Sequence, residues 1–447
     1  MEDVDAIIIG SGQGGVPFAI SLAKRGKRVV LFERDQLGGS CVNYGCTPSK
    51  AFLASAHNAG RARRAAPLGV SAQVTVDFAM VMNRVRGLVG EWRSGVTEKL
   101  AAANVRVVHG DAAFSGMRTV KAGDDELRAP IIVINTGTSP AIPDIAGLAG
   151  TPYLDNKTFF DQTTLPKRFA VLGGGYIGLE LGQGMARVGS AVDIIQAGGR
   201  LLDNEQADVG KVLEASLERD GITVHLNAKL ARVEHDGTFR LHLSSGDPIE
   251  ADGLLVAAGR TPNTKTLALE KTGVDLDEHG YVRIDAQFRT ACEGVYAIAD
   301  AAGQPAFTHV SWEDYRRLED ILAGGKRTRD DRVLAYAMYT EPQVGRAGLS
   351  LEAAKKQGLA ARAVRVTMDS VARAIEWGEE LGFYELVADE TSGKILGATL
   401  VGYEAAELIH VFVAHMQNGA TWHVLDESVH IHPTYSEAFP GLARMLA

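Results

Sequence analysis

An α/β fold made of two separate βαβ units and a terminal α+β part is what this sequence predicts, on three observations. The first is Asp5-Ala-Ile-Ile-Ile-Gly10, a short β-branched run ending on glycine, followed by a helix-compatible stretch to about Arg25 and a second apolar run, Arg28-Val-Val-Leu-Phe-Glu33. The second is the return of the same grammar at Arg168-Phe-Ala-Val-Leu-Gly173, a helical stretch to Val188, and Ala191-Val-Asp-Ile-Ile195. Short buried strands alternating with helices are the pattern of a parallel sheet covered by helices. The third is the change after about Ala335, where strands and helices continue without a glycine fingerprint.

The connecting elements follow from the same rules. Val74 to Ala103 reads as largely helical, and Pro130-Ile-Ile-Val-Ile-Asn135 as a strand closing on Thr136-Gly137. A similar ending occurs at Leu254-Leu-Val-Ala-Ala-Gly259, with Pro140, Pro143 and Pro262 as loop punctuation, so the chain is expected to pass between units at Gly137 and Gly259. A chain of 447 residues exceeds one ordinary core. The predicted sections are 1–148, 149–262, 263–335 and 336–447, the first and third belonging to one unit.

Composition removes several classes of function. A formal net charge of −9 argues against a phosphate-backbone partner, which needs clustered Lys and Arg. No apolar run reaches the roughly 18 to 20 residues of a membrane span, and the first apolar stretch is followed by glycines rather than a cleavage site. A cytoplasmic protein with neither nucleic-acid nor membrane partner is therefore expected. Three cysteines cannot make a structural disulfide framework in so long a chain, and in a reducing compartment a close pair is more often catalytic or metal-binding.

Gly10-Ser-Gly12-Gln-Gly14-Gly15 fits G-x-G-x-x-G between a strand and a helix. Gly10, Gly12 and Gly15 permit the tight turn, the approach of a pyrophosphate and close helix packing, and Glu33 ends the next strand where an acid accepts hydrogen bonds from a ribose. Gly173, Gly175 and Gly178 repeat the fingerprint, but the next strand ends in Ile195-Gln196. Gln196 bonds a ribose without excluding a 2′-phosphate, and Arg200 either reaches such a phosphate or is a solvated loop residue, which leaves NADH and NADPH both open.

Cys41 and Cys46 follow Gly38-Gly39 near a helix start. In a regular helix residues five apart stand about 8 to 9 Å apart at Cα, beyond disulfide reach, so the turn between them must be distorted, and Gly45 permits it. A helix N-terminus would favour the reactive thiolate. The alternatives are two core cysteines or half of a metal site, and no Cys or His cluster at zinc spacing lies nearby, so no metal site is expected. Cys292 has no partner in sequence and reads as inert. His432-Pro-Thr-Tyr-Ser-Glu437 sets an imidazole near a carboxylate, a combination suited to protonating a leaving thiolate, while His430 reads as structural.

Together, Gly38-Gly-Ser-Cys41-Val-Asn-Tyr-Gly-Cys46-Thr-Pro-Ser-Lys50, the two fingerprints and the His432 segment resemble the class I pyridine nucleotide-disulfide oxidoreductases, which include dihydrolipoamide dehydrogenase, glutathione reductase and mercuric reductase. The resemblance covers almost the whole chain. It implies two Rossmann-like dinucleotide-binding domains, for FAD and for NADH or NADPH, and a C-terminal α+β dimerisation domain. By the same resemblance Cys46 faces the flavin, Cys41 attacks substrate, Lys50 and Glu180 form a charged pair beside the ring, and Asp300 binds the ribityl chain. The family usually has glycine where Ala299 stands here. His432 and Glu437 are implied to act in trans in a homodimer.

Within the family, Phe307-Thr-His-Val-Ser-Trp-Glu-Asp-Tyr315-Arg is closest to the mercuric-reductase-like and reactive-chlorine-resistance flavoproteins, whereas His430-Ile-His432-Pro-Thr looks like the dihydrolipoamide dehydrogenase ending. The C-terminus lacks the cysteine pair of true mercuric reductases. The expected activity is reduction of a small disulfide or a metal ion. Dihydrolipoamide dehydrogenase is the second choice and a non-catalytic flavin-bearing interaction protein the third.

Overall fold

The first sheet grows from the apolar run near the start of the chain. In this computed structural model, which describes residues 1–447, Ala6–Ile9 is buried at every residue and pairs in parallel with Val29–Glu33 on one side and Ile131–Ile134 on the other. Arg106–His109 and Val295–Ala297 complete five parallel strands. Strands covered on both faces read as continuous apolar runs rather than alternating ones. The crossover helix Gly15–Lys24 buries Val16, Phe18, Ala19 and Leu22. The helix predicted from Val74 starts instead at Phe78, because Asp77 caps it by accepting the Met80 N–H at 2.9 Å while the β-branched Val74-Thr75-Val76 stays outside it.

The second unit repeats the plan with Thr223–His225, Ala191–Ile195, Arg168–Leu172 and Gly253–Val256 as a four-stranded parallel sheet. Helices Tyr176–Val188 and Ala207–Arg219 accompany it. Between the two units Thr138–Pro140 pairs antiparallel with Arg260–Pro262, just after Gly137 and Gly259. The crossing points thus form a two-stranded ribbon that ties one unit to the other. Val295–Ala297 then returns to the first sheet, which is why that sheet is discontinuous in sequence.

From Ala335 the architecture changes to a five-stranded antiparallel sheet in the order Ala335–Met338, Gln343–Gly348, Ile395–Gly402, Phe383–Asp389, Ala361–Thr367, with helix Ala405–Gln417 packed on it. The fold class is the predicted one, α/β with two parallel-sheet units and a terminal α+β part.

A buried ionic cluster joins the three parts. Arg187, with a side chain 1% exposed, bonds Asp220 through Nε at 2.8 Å and also bonds Glu341. Glu341 Oε1 also forms an ion pair with Arg61 at 2.5 Å, its Oε2 accepts from Arg64 at 3.0 Å, and Arg64 reaches Asp220 at 2.7 Å. Arg61 comes from the helix that begins at Cys46, Arg187 and Asp220 from the second unit, and Glu341 from the terminal part. Such a cluster adds little net stability over apolar packing, but removing one partner strands a buried charge.

Candidate active site

The first fingerprint folds as its glycines require. A side chain on Gly15 would stand 2.2 Å from the Gly10 carbonyl oxygen, so strand and helix approach this closely only without one. Glu33, at the end of the neighbouring strand, is buried, and its Oε2 accepts the Ser11 N–H at 2.9 Å and the Ser11 hydroxyl at 2.6 Å while Oε1 accepts the Asp35 N–H at 2.8 Å. An ionised carboxylate has about four lone-pair sites, so acceptor capacity remains for a ribose. Gly10, Gly12 and Glu33 line a cleft of about 1090 Å³ together with Cys41, Cys46, Lys50, Gly137, Glu180 and Asp300.

Asp300 sits in a turn that glycine would make more easily. Ala299 adopts φ +59°, the left-handed region, and is held there by a carboxylate: Asp314, fully buried, accepts the Ala299 N–H at 2.8 Å and pairs with Arg332 at 2.6 Å. The strained backbone turns Asp300 toward the cleft wall, where its Oδ2 accepts the Thr138 hydroxyl at 2.8 Å. Burial raises the Asp314 carboxyl above its usual range, an effect opposed by Arg332 and the Ala299 N–H.

The cysteine segment is not one helix but two. Gly39–Asn43 carries Cys41 and ends before Gly45, whose φ −130° and ψ −116° break the turn, and a second helix starts at Cys46 and runs to Arg63. A Cβ on Gly45 would lie 2.9 Å from the Ser40 carbonyl oxygen. The proximity of the two sulfurs shifts them in opposite directions: Cys46 pushes the Cys41 thiol well above its ordinary value, and Cys41 lowers Cys46 to about 6. The Thr308 hydroxyl, 3.1 Å from the Cys46 sulfur, and the Lys50 charge lower Cys46 further, against burial. The balance favours the thiolate at Cys46 and the thiol at Cys41.

One turn along the same helix, Lys50 Nζ bonds Glu180 Oε2 at 2.6 Å. Glu180 Oε1 accepts the Tyr339 backbone N–H at 2.8 Å, and Lys50 lies over the Tyr339 ring, 4.6 Å from its centroid.

At the second fingerprint a Cβ on Gly178 would stand 2.1 Å from the Gly173 carbonyl oxygen, whereas Gly175 faces open space. Gln196 turns inward. Its Oε1 accepts the Gly174 N–H at 3.0 Å and its Nε2 donates to Asp203 at 2.8 Å, while Arg200 donates to the Asp203 carbonyl.

The two parts of the chain match two descriptions: residues 4–314 the pyridine nucleotide-disulphide oxidoreductases, and residues 334–443 the dimerisation domain of the same proteins. The chain belongs to the pyridine nucleotide-disulphide oxidoreductase family. Its relatives include the mercuric reductase of Shigella flexneri, 34% identical over 93% of this chain and 76% of the relative. The dihydrolipoyl dehydrogenase of Haloferax volcanii is 32% identical over 97% and 94%. The probable pyridine nucleotide-disulfide oxidoreductase RclA of Escherichia coli is 31% identical over 99% of both chains. The Cu(II) complex of the HOCl-induced flavoprotein disulfide reductase RclA from Escherichia coli superposes with a TM-score of 0.91 at 29% identity, covering 100% of each chain.

Within the family frame, the cleft gathers Gly10, Gly12, Glu33, Cys41, Cys46, Lys50, Gly137, Glu180 and Asp300, whereas Gly15, Gly173, Gly175, Gly178 and Gly259 shape the backbone away from its wall. His432 and Glu437 are not brought to the cysteines of their own chain. The His432 Nδ1 lies 2.7 Å from Glu437 Oε2, and the imidazole is 76% exposed. His430 packs edge-on against Phe439, and the buried Cys292 donates to the Met117 carbonyl at 3.2 Å.

Sequence reasoning missed Ser11, Thr308, Asp314 and Tyr339. Thr308 and Asp314 lay inside a segment quoted only for its resemblance, and Tyr339 is 293 positions from Cys46 with no local pattern to mark it.

Proposed function

We propose that this chain is an FAD-dependent NAD(P)H oxidoreductase whose redox-active pair, Cys41 and Cys46, reduces a small disulfide or a metal ion. The observation that carries it is the sulfur pair, split across two helices by Gly45 and set in the same cleft as Glu33 and Asp300. The residues fit the flavin dinucleotide: the close approach at Gly15, the spare acceptor capacity of Glu33 and the carboxylate of Asp300 in the cleft wall are what a pyrophosphate, a ribose and a ribityl chain require. Bound FAD would supply a two-electron relay between the nicotinamide and the sulfurs.

The residues then divide the work. Cys41, released of its proton, attacks one sulfur of a substrate disulfide, forming a mixed disulfide and expelling a thiolate. His432 of a partner subunit, held by Glu437, takes up the Cys41 proton and passes it to that thiolate, and Cys46 attacks the Cys41 sulfur to restore the internal disulfide and expel the second thiolate, which is protonated by solvent. The exposed His432 lies beside Val429 and Ile431, 97% and 77% exposed, an apolar strip that supports contact with a second copy. The dimerisation domain supports the same homodimer. Glutamine in place of an acid at the second ribose site, with Arg200 already engaged by Asp203, supports use of NADH without a strong barrier to NADPH. Three cysteines, none in a structural disulfide, support a cytoplasmic protein.

A metal-ion acceptor is supported by the likeness to the protein solved as a Cu(II) complex. Oxidation of dihydrolipoamide is the second reading, favoured by the His432–Glu437 pair and the dihydrolipoyl dehydrogenase relative. Steady-state assays with NADH and NADPH against lipoamide, small disulfides, Cu(II) and Hg(II) test the proposal. Turnover that survives Cys46→Ser with every acceptor would overturn it.

A further inference from the structure

We infer that Tyr339 is a positioning residue for the redox pair: its ring face and backbone N–H hold the Lys50–Glu180 pair at the place from which the Lys50 ammonium stabilises the Cys46 thiolate. The inference deepens the proposed function and rests on Cys46 being the flavin-facing thiol. Four contacts carry it. Lys50 has two fixed neighbours, the Glu180 carboxylate at 2.6 Å and the Tyr339 ring at 4.6 Å from its centroid. Glu180 has its other oxygen occupied by the Tyr339 N–H at 2.8 Å, so one residue constrains both members of the ion pair. The Tyr339 carbonyl is tied in turn by His57 Nε2 at 2.9 Å, which fixes the backbone that carries the ring.

The arrangement matters because Lys50 is flexible. Its side chain is 35% exposed, and a partly solvated four-carbon stem held by a single carboxylate samples many positions. An aromatic face adds a directional contact for an ammonium and excludes water on that side. The groups that act on Tyr339 include Lys50, Glu180, Glu407 of helix Ala405–Gln417 and Cys46, while His57, which burial shifts toward its neutral form, bonds the Tyr339 carbonyl. Tyr339 belongs to the terminal part of the chain, whereas Lys50 and Cys46 sit on the first unit's helix and Glu180 on the second unit's. The charge beside the sulfurs is therefore set by a residue of the dimerisation domain.

The test is a pH titration of the long-wavelength thiolate-to-flavin absorption in the two-electron-reduced, FAD-loaded enzyme. Tyr339→Leu keeps the backbone N–H to Glu180 and deletes the ring. It should raise the apparent pKa of the band by roughly 0.5 to 1 unit, about a three- to tenfold loss of thiolate below that pH. Tyr339→Phe, which keeps the ring, should titrate like the wild type, and Tyr339→Met supplies a second ring-less variant of similar bulk should the leucine variant fail to fold. A purely structural role would lower thermal stability in both ring-less variants and leave the band pKa in place, which overturns the inference. A wild-type band that is absent at every pH overturns both the reading of Cys46 and the inference built on it. A band present in the wild type and unmoved in the ring-less variants overturns the inference alone.

Discussion

Ala299 carries a measurable strain beside Asp300, and Asp314 is the group that holds it. An alanine in the left-handed region costs about 1 to 2 kcal/mol relative to its usual conformations. Here φ is +59° and the N–H is fixed by the fully buried Asp314 carboxylate at 2.8 Å. Ala299→Gly removes that cost but adds about 0.5 to 1 kcal/mol of chain entropy to be lost on folding, leaving a gain of up to about 1.5 kcal/mol. At about 2 to 4 °C per kcal/mol for a unit of this size, the first calorimetric transition should rise by up to roughly 6 °C. Asp314→Asn acts the other way. The amide offers one acceptor for two donors, so either the Ala299 N–H or Arg332, 10% exposed, faces an N–H instead. Breaking a buried pair of this kind costs roughly 3 to 5 kcal/mol, so the transition should fall by about 6 to 20 °C, with FAD lost earlier as Asp300 loses its anchor. Scanning calorimetry with flavin fluorescence reads both effects. A lower transition in Ala299→Gly, or an unchanged one in Asp314→Asn, would refute the reasoning.

Four further outcomes are expected. With Cys46 lowered to about 6, the thiolate-to-flavin absorption of the reduced wild type should be near full at pH 8 and fall by half near pH 6, because acid protonates the depressed thiol; a band that fades instead as pH rises would contradict the assignment. Cys46→Ser should abolish that band and Cys41→Ser retain it, as an absorption spectrum of each reduced variant will show. His432→Ala should slow disulfide turnover by roughly 10²- to 10⁴-fold while leaving flavin reduction by the nicotinamide near normal, and should slow metal-ion reduction much less; stopped-flow measurement of both half-reactions checks this. Glu33→Ala leaves the Ser11 N–H and hydroxyl and the Asp35 N–H without their acceptor, so FAD retention on gel filtration should fall before binding at the second fingerprint does.

What the sequence made legible was what short-range rules encode. The βαβ units around Gly10 and Gly173 show because strand, glycine turn and helix are contiguous. The distorted turn between Cys41 and Cys46 follows from the geometry of a helix alone, and Gly45 was marked by its position between them. The helix start at Phe78 was misplaced because an Asp cap competes with apolar periodicity, and the cap is one residue against a run of several. Asp314, Thr308 and Tyr339 were invisible for a different reason. Each acts on a partner that only the folded chain brings near, Thr308 on a sulfur 262 positions away and Tyr339 on a carboxylate 159 positions away. Asp314 also shows how a departure from pattern is absorbed: alanine at 299 keeps a glycine-like turn because a buried carboxylate enforces it.

The ionic cluster at Arg187 bears on how this architecture can be recombined. Its charges are drawn from all three parts of the chain, so a chimera that exchanges the second unit for that of a relative imports a helix whose position 187 must still meet Glu341, Arg61 and Arg64. A graft lacking that arginine removes the most buried cation and leaves Asp220 and Glu341 to Arg61 and Arg64 alone; a graft that keeps it but meets a neutral residue at 341 leaves three arginines against the single carboxylate of Asp220. Modules in this chain are therefore interchangeable as structures yet bound together as charges, and the natural cut for a shuffling experiment carries helix Cys46–Arg63, the 176–220 segment and the turn at Glu341 as one inheritance.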